Sequence, residues 1–389
     1  MVRCRLHVVM VPVVVYDDTF RTPGLAAHLA RRGHQITILG WNERDGGVRM
    51  VEREGGALRA YLLPGLNLRL PGLVHKFPLL FNINQILRRL DFDILDLHRH
   101  ADPSTLPPAL LSSRMGKPIV MTLHGLECKV SPLIDMAYWT YVRSFDGLVI
   151  RRASRIIVLT KHDARLALGL GCPPRKVRVI PNGVNTRLFR PLRDGDPFLV
   201  VWHGRLVRGK GLEHLIRAIH ILRKHHGLPM RLLLVGEGPI KERLASLAQR
   251  LGLDSSVEFT GWRPSGELPE LICRGTIYAF PSFFEGMPWA VLEAMACGRA
   301  VVASNIPGIK DIIDDGINGL LVRPGDVRGL AQAIAKLVQD EELRKSLSEN
   351  ARAKVVREHD WAVIAEKVER IYLEAIEKPA NLAEGAYRR

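Results

Sequence analysis

The chain has 389 residues, 47% hydrophobic and 6% aromatic, long enough for two domains of ordinary size, each burying its own core. With 56 Lys and Arg against 40 Asp and Glu it carries a formal charge of +16, which favours an anionic partner such as a phosphorylated substrate, a membrane surface or nucleic acid. Nucleic acid is not the expected partner, because the basic stretches lack the interleaved aromatics of an RNA-binding sheet.

From the N-terminus, LHVVMVPVVVY reads as a buried first strand; it is too short to span a bilayer and has no small-residue cleavage site. A helical LAAHLARRG and a strand QITILG follow. The segment Tyr61 to Leu90 is dense in leucine, but Pro64, Pro71 and Pro78 break any long helix, and Arg69, His75, Lys76, Arg88 and Arg89 intersperse charge. Two readings of it stand side by side: core with a solvated rim, or a basic amphipathic surface resting on an anionic membrane. Asp91, Phe92 and Asp93 form a DxD ahead of the strand DILDLH, where polarity at the strand entrance is expected rather than a metal. His98, His100 and Asp102 are ligand-type residues without a clear further ligand, so no essential metal is expected. The strand PIVMTL leads into His124 and Gly125, and RIIVLT and VRVIPNG follow as further strands. The five cysteines, Cys4, Cys128, Cys172, Cys273 and Cys297, are scattered without CxxC spacing and fit a reducing cytoplasm.

Pro, Gly and charge concentrate in RPLRDGDPF, Arg190 to Phe198, as in a linker, and the alternation of strands and helices then begins again. The fold expected is α/β, two Rossmann-like doubly wound parallel-sheet domains facing a cleft, with functional residues in the loops after strands. The domains are 1–190 and 191–377, with a frayed tail over 378–389. The last helix, Trp361 to Glu377, is amphipathic and could pack back on the N-terminal domain.

After the strand FLVVW, the loop HGRLVRGKG sets Arg205, Arg208 and Lys210 among three glycines, a composition that suits either a diphosphate or an exposed basic turn. LLLVGEGP follows, in which Gly236 and Gly238 would let a flat base or ribose lie against the main chain. EGMPWAVLEAMACG then carries Glu285 just before a helix and Glu293 within it, with Pro288 in a first-turn position and Gly298 as the stop. Eight residues at helical rise separate the two acids by roughly 12 Å, too far to share a proton and better suited to gripping two parts of a long ligand. AVVASNIPG and DGINGLLVRPGD complete the series.

This ordered set of motifs closely resembles the retaining glycosyltransferases of family 4, which have the GT-B fold. GLAAHLARRGHQITILG and PNGVNTRLFRP resemble the family's first loop with its helix and strand, and its domain junction. The resemblance implies a hexosyltransferase-like enzyme with an acceptor-side N-terminal domain and a donor-side C-terminal domain; metal independence is expected because Arg205, Lys210 and a helix dipole would meet the phosphate charge. Its donor would be a nucleotide-diphosphate sugar, its acceptor a glycan or lipid-linked hydroxyl, and no cofactor would be needed. It also implies that Arg205 and Lys210 bind the diphosphate, and that Glu293 accepts from the ribose hydroxyls. Glu285 and the backbone of Gly286, Met287 and Pro288 would hold the donor sugar and phosphate region, and His124 would stand near the reacting sugar carbon. A nucleotide-sugar epimerase of related fold is the rival reading; the EX7E spacing favours transfer.

Overall fold

The β-branched runs form strands, and those buried on both faces read as near-continuous apolar sequence, as in Val8–Val11, Ile119–Leu123 and Ala300–Ser304. The computed structural model describes residues 5–11, 24–41, 48–68, 77–99, 103–126 and 132–378. Residues 12–23, Arg69, Pro71, His75, Lys76, His100, Asp102, Cys4, Cys128 and those beyond 378 lie outside the described residues. Two units divide the chain: one runs to Pro181 and takes up the chain again from Ile364, and the other is Asn182–Val363.

In the first unit the strands are β1 (His7–Val11), β2 (Gln35–Trp41), β3 (Arg49–Arg53), β4 (Leu58–Leu63), β5 (Gly65–Leu68), β6 (Phe77–Leu80), β7 (Ile94–Arg99), β8 (Ile119–Leu123), β9 (Arg155–Val158) and β10 (Val177–Val179). The main sheet has the order β10-β9-β8-β7-β1-β2-β4-β3, parallel except for the β3–β4 edge, while β5 and β6 form a separate antiparallel pair. The DxD lies where strands begin: the Asp93 carboxylate accepts from the His7 amide at 2.7 Å, and Phe92 is buried. That placement fits strand-entry polarity.

The second unit contains β11 (Asp196–His203), β12 (Arg231–Val235), β13 (Val257–Gly261), β14 (Gly275–Phe280), β15 (Ala300–Ser304) and β16 (Leu320–Val322). They form one parallel sheet in the order β13-β12-β11-β14-β15-β16. This is the doubly wound order, with its reversal between β11 and β14, where ligands of such sheets bind beyond the strand ends.

The division differs from the expected one at Pro191. Asn182 donates from Nδ2 to the Met287 carbonyl at 2.8 Å, the Val184 amide donates to the His359 carbonyl at 2.8 Å, and Phe189 is buried, all within the second unit. A Cβ on Gly183 would lie 2.4 Å from the Trp361 ring. The junction motif is therefore packed from Asn182 onward, and the Pro, Gly and charged residues after it lead into β11.

The helix Trp361–Glu377 is amphipathic, and its body belongs to the first unit. Glu369 accepts from the guanidinium of Arg32 and from His34 Nε2 at 2.9 Å, and Glu374 accepts from Arg155 Nε at 3.2 Å and Arg178 Nη2 at 3.1 Å. Burial alone would raise the Glu369 carboxyl, but the hydrogen bonds and charges of Arg32 and His34 outweigh it and hold it below the ordinary carboxylate range. A depressed acid stabilises the fold above its unfolded pKa and loses that contribution as pH falls through its folded one. Glu369→Gln is thus expected to cost about 1–3 kcal/mol in thermal or denaturant unfolding at neutral pH. The difference from the parent should shrink as pH falls below the ordinary carboxyl range; a difference constant with pH would contradict this.

Candidate active site

At the reversal point, β11 delivers His203 and the loop to Gly211, while the neighbouring β14 delivers the loop from Pro281 and the helix Trp289–Ala296. The Phe283 amide donates to the Gly209 carbonyl at 2.9 Å and ties one loop to the other. Each of the two glutamates takes its partner from the β11 side. Lys210 Nζ donates to Glu285 Oε1 at 2.6 Å, and His203 Nε2 lies 2.7 Å from Glu293 Oε2. Behind them the Tyr278 hydroxyl lies 3.0 Å from His203 Nδ1.

This row fixes a tautomer. An ionised Glu293 only accepts, so Nε2 carries a proton, and in a neutral ring Nδ1 then accepts from the Tyr278 hydroxyl. Burial pushes the Tyr278 phenol well above its usual value, the Glu293 charge adds to this, and the His203 amide hydrogen bond offsets part of it; the hydroxyl stays a neutral donor. Lys210 Nζ also lies 5.7 Å from the centre of the Phe280 ring.

The other residues singled out in the sequence are placed as follows. Arg205 and Arg208 are exposed, and neither forms an ion pair among the described residues. Pro288 is the residue before the helix, with ψ 120°, rather than a first-turn residue; no side chain caps the helix, whose positive dipole end lies next to the Glu285 loop. Met287 is buried, its carbonyl held by Asn182. Gly236 has φ +140°, and a Cβ there would lie 1.9 Å from the Gly204 carbonyl oxygen. A Cβ on Gly238 would lie 2.2 Å from Leu206 O, so both glycines are required by loop-on-loop packing, whatever ligand lies above. Gly308 supports the glutamate loop in the same way, its Cβ position being 1.8 Å from Gly286 O.

In the first unit, His124 follows β8, and its Nε2 lies 2.9 Å from His98 Nδ1. His98 in turn contacts Asp96 Oδ2 through Nε2 at 3.0 Å, so its ring nitrogens serve this pair rather than an ion. Among the described residues, no three His, Cys, Asp or Glu side chains gather as metal ligands.

Sequence reading missed His203, Tyr278, Asp96 and Tyr372. His203 opens the HGRLVRGKG loop and could have been flagged by its place at a strand end; the others sit inside apolar strand or helix patterns without a local signal. It also passed over Phe283, Phe284 and Trp289, which flank Glu285 and are exposed.

Comparison with known proteins agrees with this architecture. Residues 185–354 match the family described as glycosyl transferases group 1, and residues 24–188 match glycosyltransferase family 4. Over 303 residues the chain is 33% identical to the D-inositol 3-phosphate glycosyltransferase of Acidothermus cellulolyticus, covering 72% of this chain and 67% of that protein. It is 24% identical over 355 residues to the UDP-Gal:alpha-D-GlcNAc-diphosphoundecaprenol alpha-1,3-galactosyltransferase of Escherichia coli, covering 85% and 89%. HepE of Anabaena, solved in complex with UDP and glucose, shares the fold with a TM-score of 0.73 at 20% identity, covering 94% of this chain and 99% of that one. The chain belongs to glycosyltransferase family 4 and has the GT-B fold.

Proposed function

We propose that this protein transfers a sugar, with retention of anomeric configuration and without a metal, from a UDP-sugar to a hydroxyl acceptor. The observation that carries the reading is the pairing of Lys210 with Glu285 and of His203 with Glu293 beside the reversal point of the second sheet. Arg205 and Lys210 take the diphosphate, whose charge they and the helix dipole neutralise in place of a divalent cation. An ammonium has three donors, so Lys210 can keep Glu285 while reaching a phosphate oxygen. Glu293, oriented by His203, accepts from the ribose hydroxyls; Glu285 and the backbone of Gly286, Met287 and Pro288 hold the sugar and its phosphate, and Gly236 lies under the nucleoside.

His124 orients the transferring sugar and stabilises developing charge. The acceptor oxygen forms its bond to the anomeric carbon on the face from which the phosphate leaves, and the departing phosphate oxygen takes the acceptor proton. UDP is supported as the nucleotide by the HepE complex and by the name of the E. coli relative. On calorimetric titration with UDP, Lys210→Ala and Glu293→Ala are each expected to weaken binding by about 1.5–3 kcal/mol. Unchanged affinity in both would sink the assignment.

The acceptor proposed is lipid-linked and met at the cytoplasmic face of a membrane, in keeping with the diphosphoundecaprenol acceptor named for the E. coli relative. In the segment around β5 and β6, Leu66 and Phe81 are 55% and 52% exposed, and Arg88 and Arg89 are exposed as well, combining apolar area with positive charge. No helix of the described residues is long and apolar enough to cross a membrane. The protein is expected to sediment with anionic but not neutral vesicles at low salt, less so as salt rises, and less again when Arg88 and Arg89 are both replaced by Gln. Equal recovery in the supernatant with both vesicle types would leave a soluble acceptor.

A further inference from the structure

In the first unit a row of three polar groups outside the roles assigned above, Tyr372, Asp96 and His98, ends on His124. Asp96, on β7, is fully buried; its Oδ2 accepts from the Tyr372 hydroxyl at 2.5 Å and contacts His98 Nε2 at 3.0 Å. Its Oδ1 has no hydrogen-bond partner among the described residues. His98 Nδ1 lies 2.9 Å from His124 Nε2, and the two rings stack with centroids 5.2 Å apart. A carboxylate in an apolar core is costly unless hydrogen-bonded and paired with positive charge. The helix Trp361–Glu377 and β7 itself supply the partners of Asp96, and the loop after β8 adds His124 beyond His98.

The order of atoms restricts the protons. The Asp96 carboxylate accepts only, so His98 keeps its Nε2 proton. If His98 is an imidazolium, its Nδ1 also donates, His124 Nε2 must accept, and the proton of a neutral His124 ring lies on Nδ1. If His98 is neutral, its Nδ1 accepts, His124 Nε2 holds the proton, and Nδ1 of a neutral His124 ring carries none. Among the described residues, His98 is in hydrogen-bond contact with Asp96 on its own strand and with His124, and behind Asp96 stands Tyr372. Burial would lower the affinity of His98 for its second proton, but the charge of Asp96 and its hydrogen bond outweigh this, and the net direction is upward. The Tyr372 phenol, pushed well above its usual value by burial and by Asp96, stays a donor to the carboxylate.

We propose that Asp96 and His98 are positioning residues that hold His124 as an Nδ1–H hydrogen-bond donor, the form in which it can stabilise negative charge on an oxygen of the reacting sugar or leaving phosphate. The inference rests on the transferase reading only for what His124 donates to; the state of the ring is a property of the first unit. The same arrangement makes Tyr372 of the last helix a support of the row, since its hydroxyl occupies the Asp96 oxygen that also faces His98.

The test is a long-range proton–nitrogen correlation spectrum of the nitrogen-15-labelled full chain at neutral pH, with no sugar donor present. In the parent, His124 should show its protonated-nitrogen signal at Nδ1 and its bare-nitrogen signal at Nε2. In Asp96→Asn, which keeps an acceptor for His98 Nε2–H but removes the charge, the two signals should exchange places. Should Asp96→Asn not fold, His98→Phe, which removes the donor to His124, should likewise lose the fixed Nδ1–H pattern. A parent spectrum with the proton on Nε2, or a pattern unchanged in a folded variant, overturns the proposal. In sugar transfer, Asp96→Asn should lower the maximal rate about tenfold with the donor KM unchanged; a switched tautomer with an unchanged rate would overturn the link to turnover. Absence of transfer by the parent would count against the transferase reading alone, since the ring-nitrogen pattern is read without substrate.

Discussion

The parallel pairing of β11 with β14 is the constraint on which the candidate site depends. It aligns Val200 with Ile277 and Val201 with Tyr278, so both strands end on the same side and release their loops next to one another. Lys210 and Glu285 are 75 residues apart in the chain, and His203 and Glu293 are 90 apart, yet each pair is in hydrogen-bond contact because of this one adjacency. In doubly wound sheets ligands bind beyond the strand ends at such a reversal. Glycines then let the loops close on each other where any Cβ would collide with a carbonyl, as at Gly236 against Gly204 and Gly308 against Gly286.

Electrostatics follow from this placement. The two acids do not act as a pair on each other; each is matched to a positive or hydrogen-donating partner from the facing loop. Lys210 and Glu285 are partly buried, with side chains 26% and 13% exposed, so their interaction is screened less than a surface pair would be. Arg205 and Arg208 remain exposed, which leaves cationic charge at the loop for an anionic ligand. In the first unit the same economy appears at Asp96, where a single carboxylate organises a tyrosine, two histidines and the packing of the last helix.

Much of this was legible in the sequence. The β-branched runs became strands, the last helix was bounded at Trp361 and Glu377 by its amphipathic pattern, and the motif order marked the family and the GT-B fold. What was not legible depended on strand order and on contacts between distant residues. Nothing local shows that Glu293 would meet His203, because the two come together only through β11 and β14. Gly236 reads as room for a base, but its conformation is already required by the carbonyl of Gly204. The division at Pro181 rather than Pro191 has no local cue: Pro, Gly and charge concentrate after the junction, whereas Asn182 is fixed by the distant carbonyl of Met287. Asp96 reads as one polar residue in an apolar strand and gains meaning only when Tyr372 and His98 are seen on either side of it.

If the β11 loop and the paired glutamates form one nucleotide-sugar-binding unit, a crystal structure of the full chain with UDP will show the nucleotide held by both. A diphosphate oxygen is expected within hydrogen-bond reach of Lys210 Nζ and a ribose hydroxyl within reach of Glu293, each at about 2.6–3.2 Å. The His203 contact to Glu293 is expected to be retained. UDP bound away from the reversal point of the second sheet, or bound there with Glu293 touching no ribose oxygen, would contradict it.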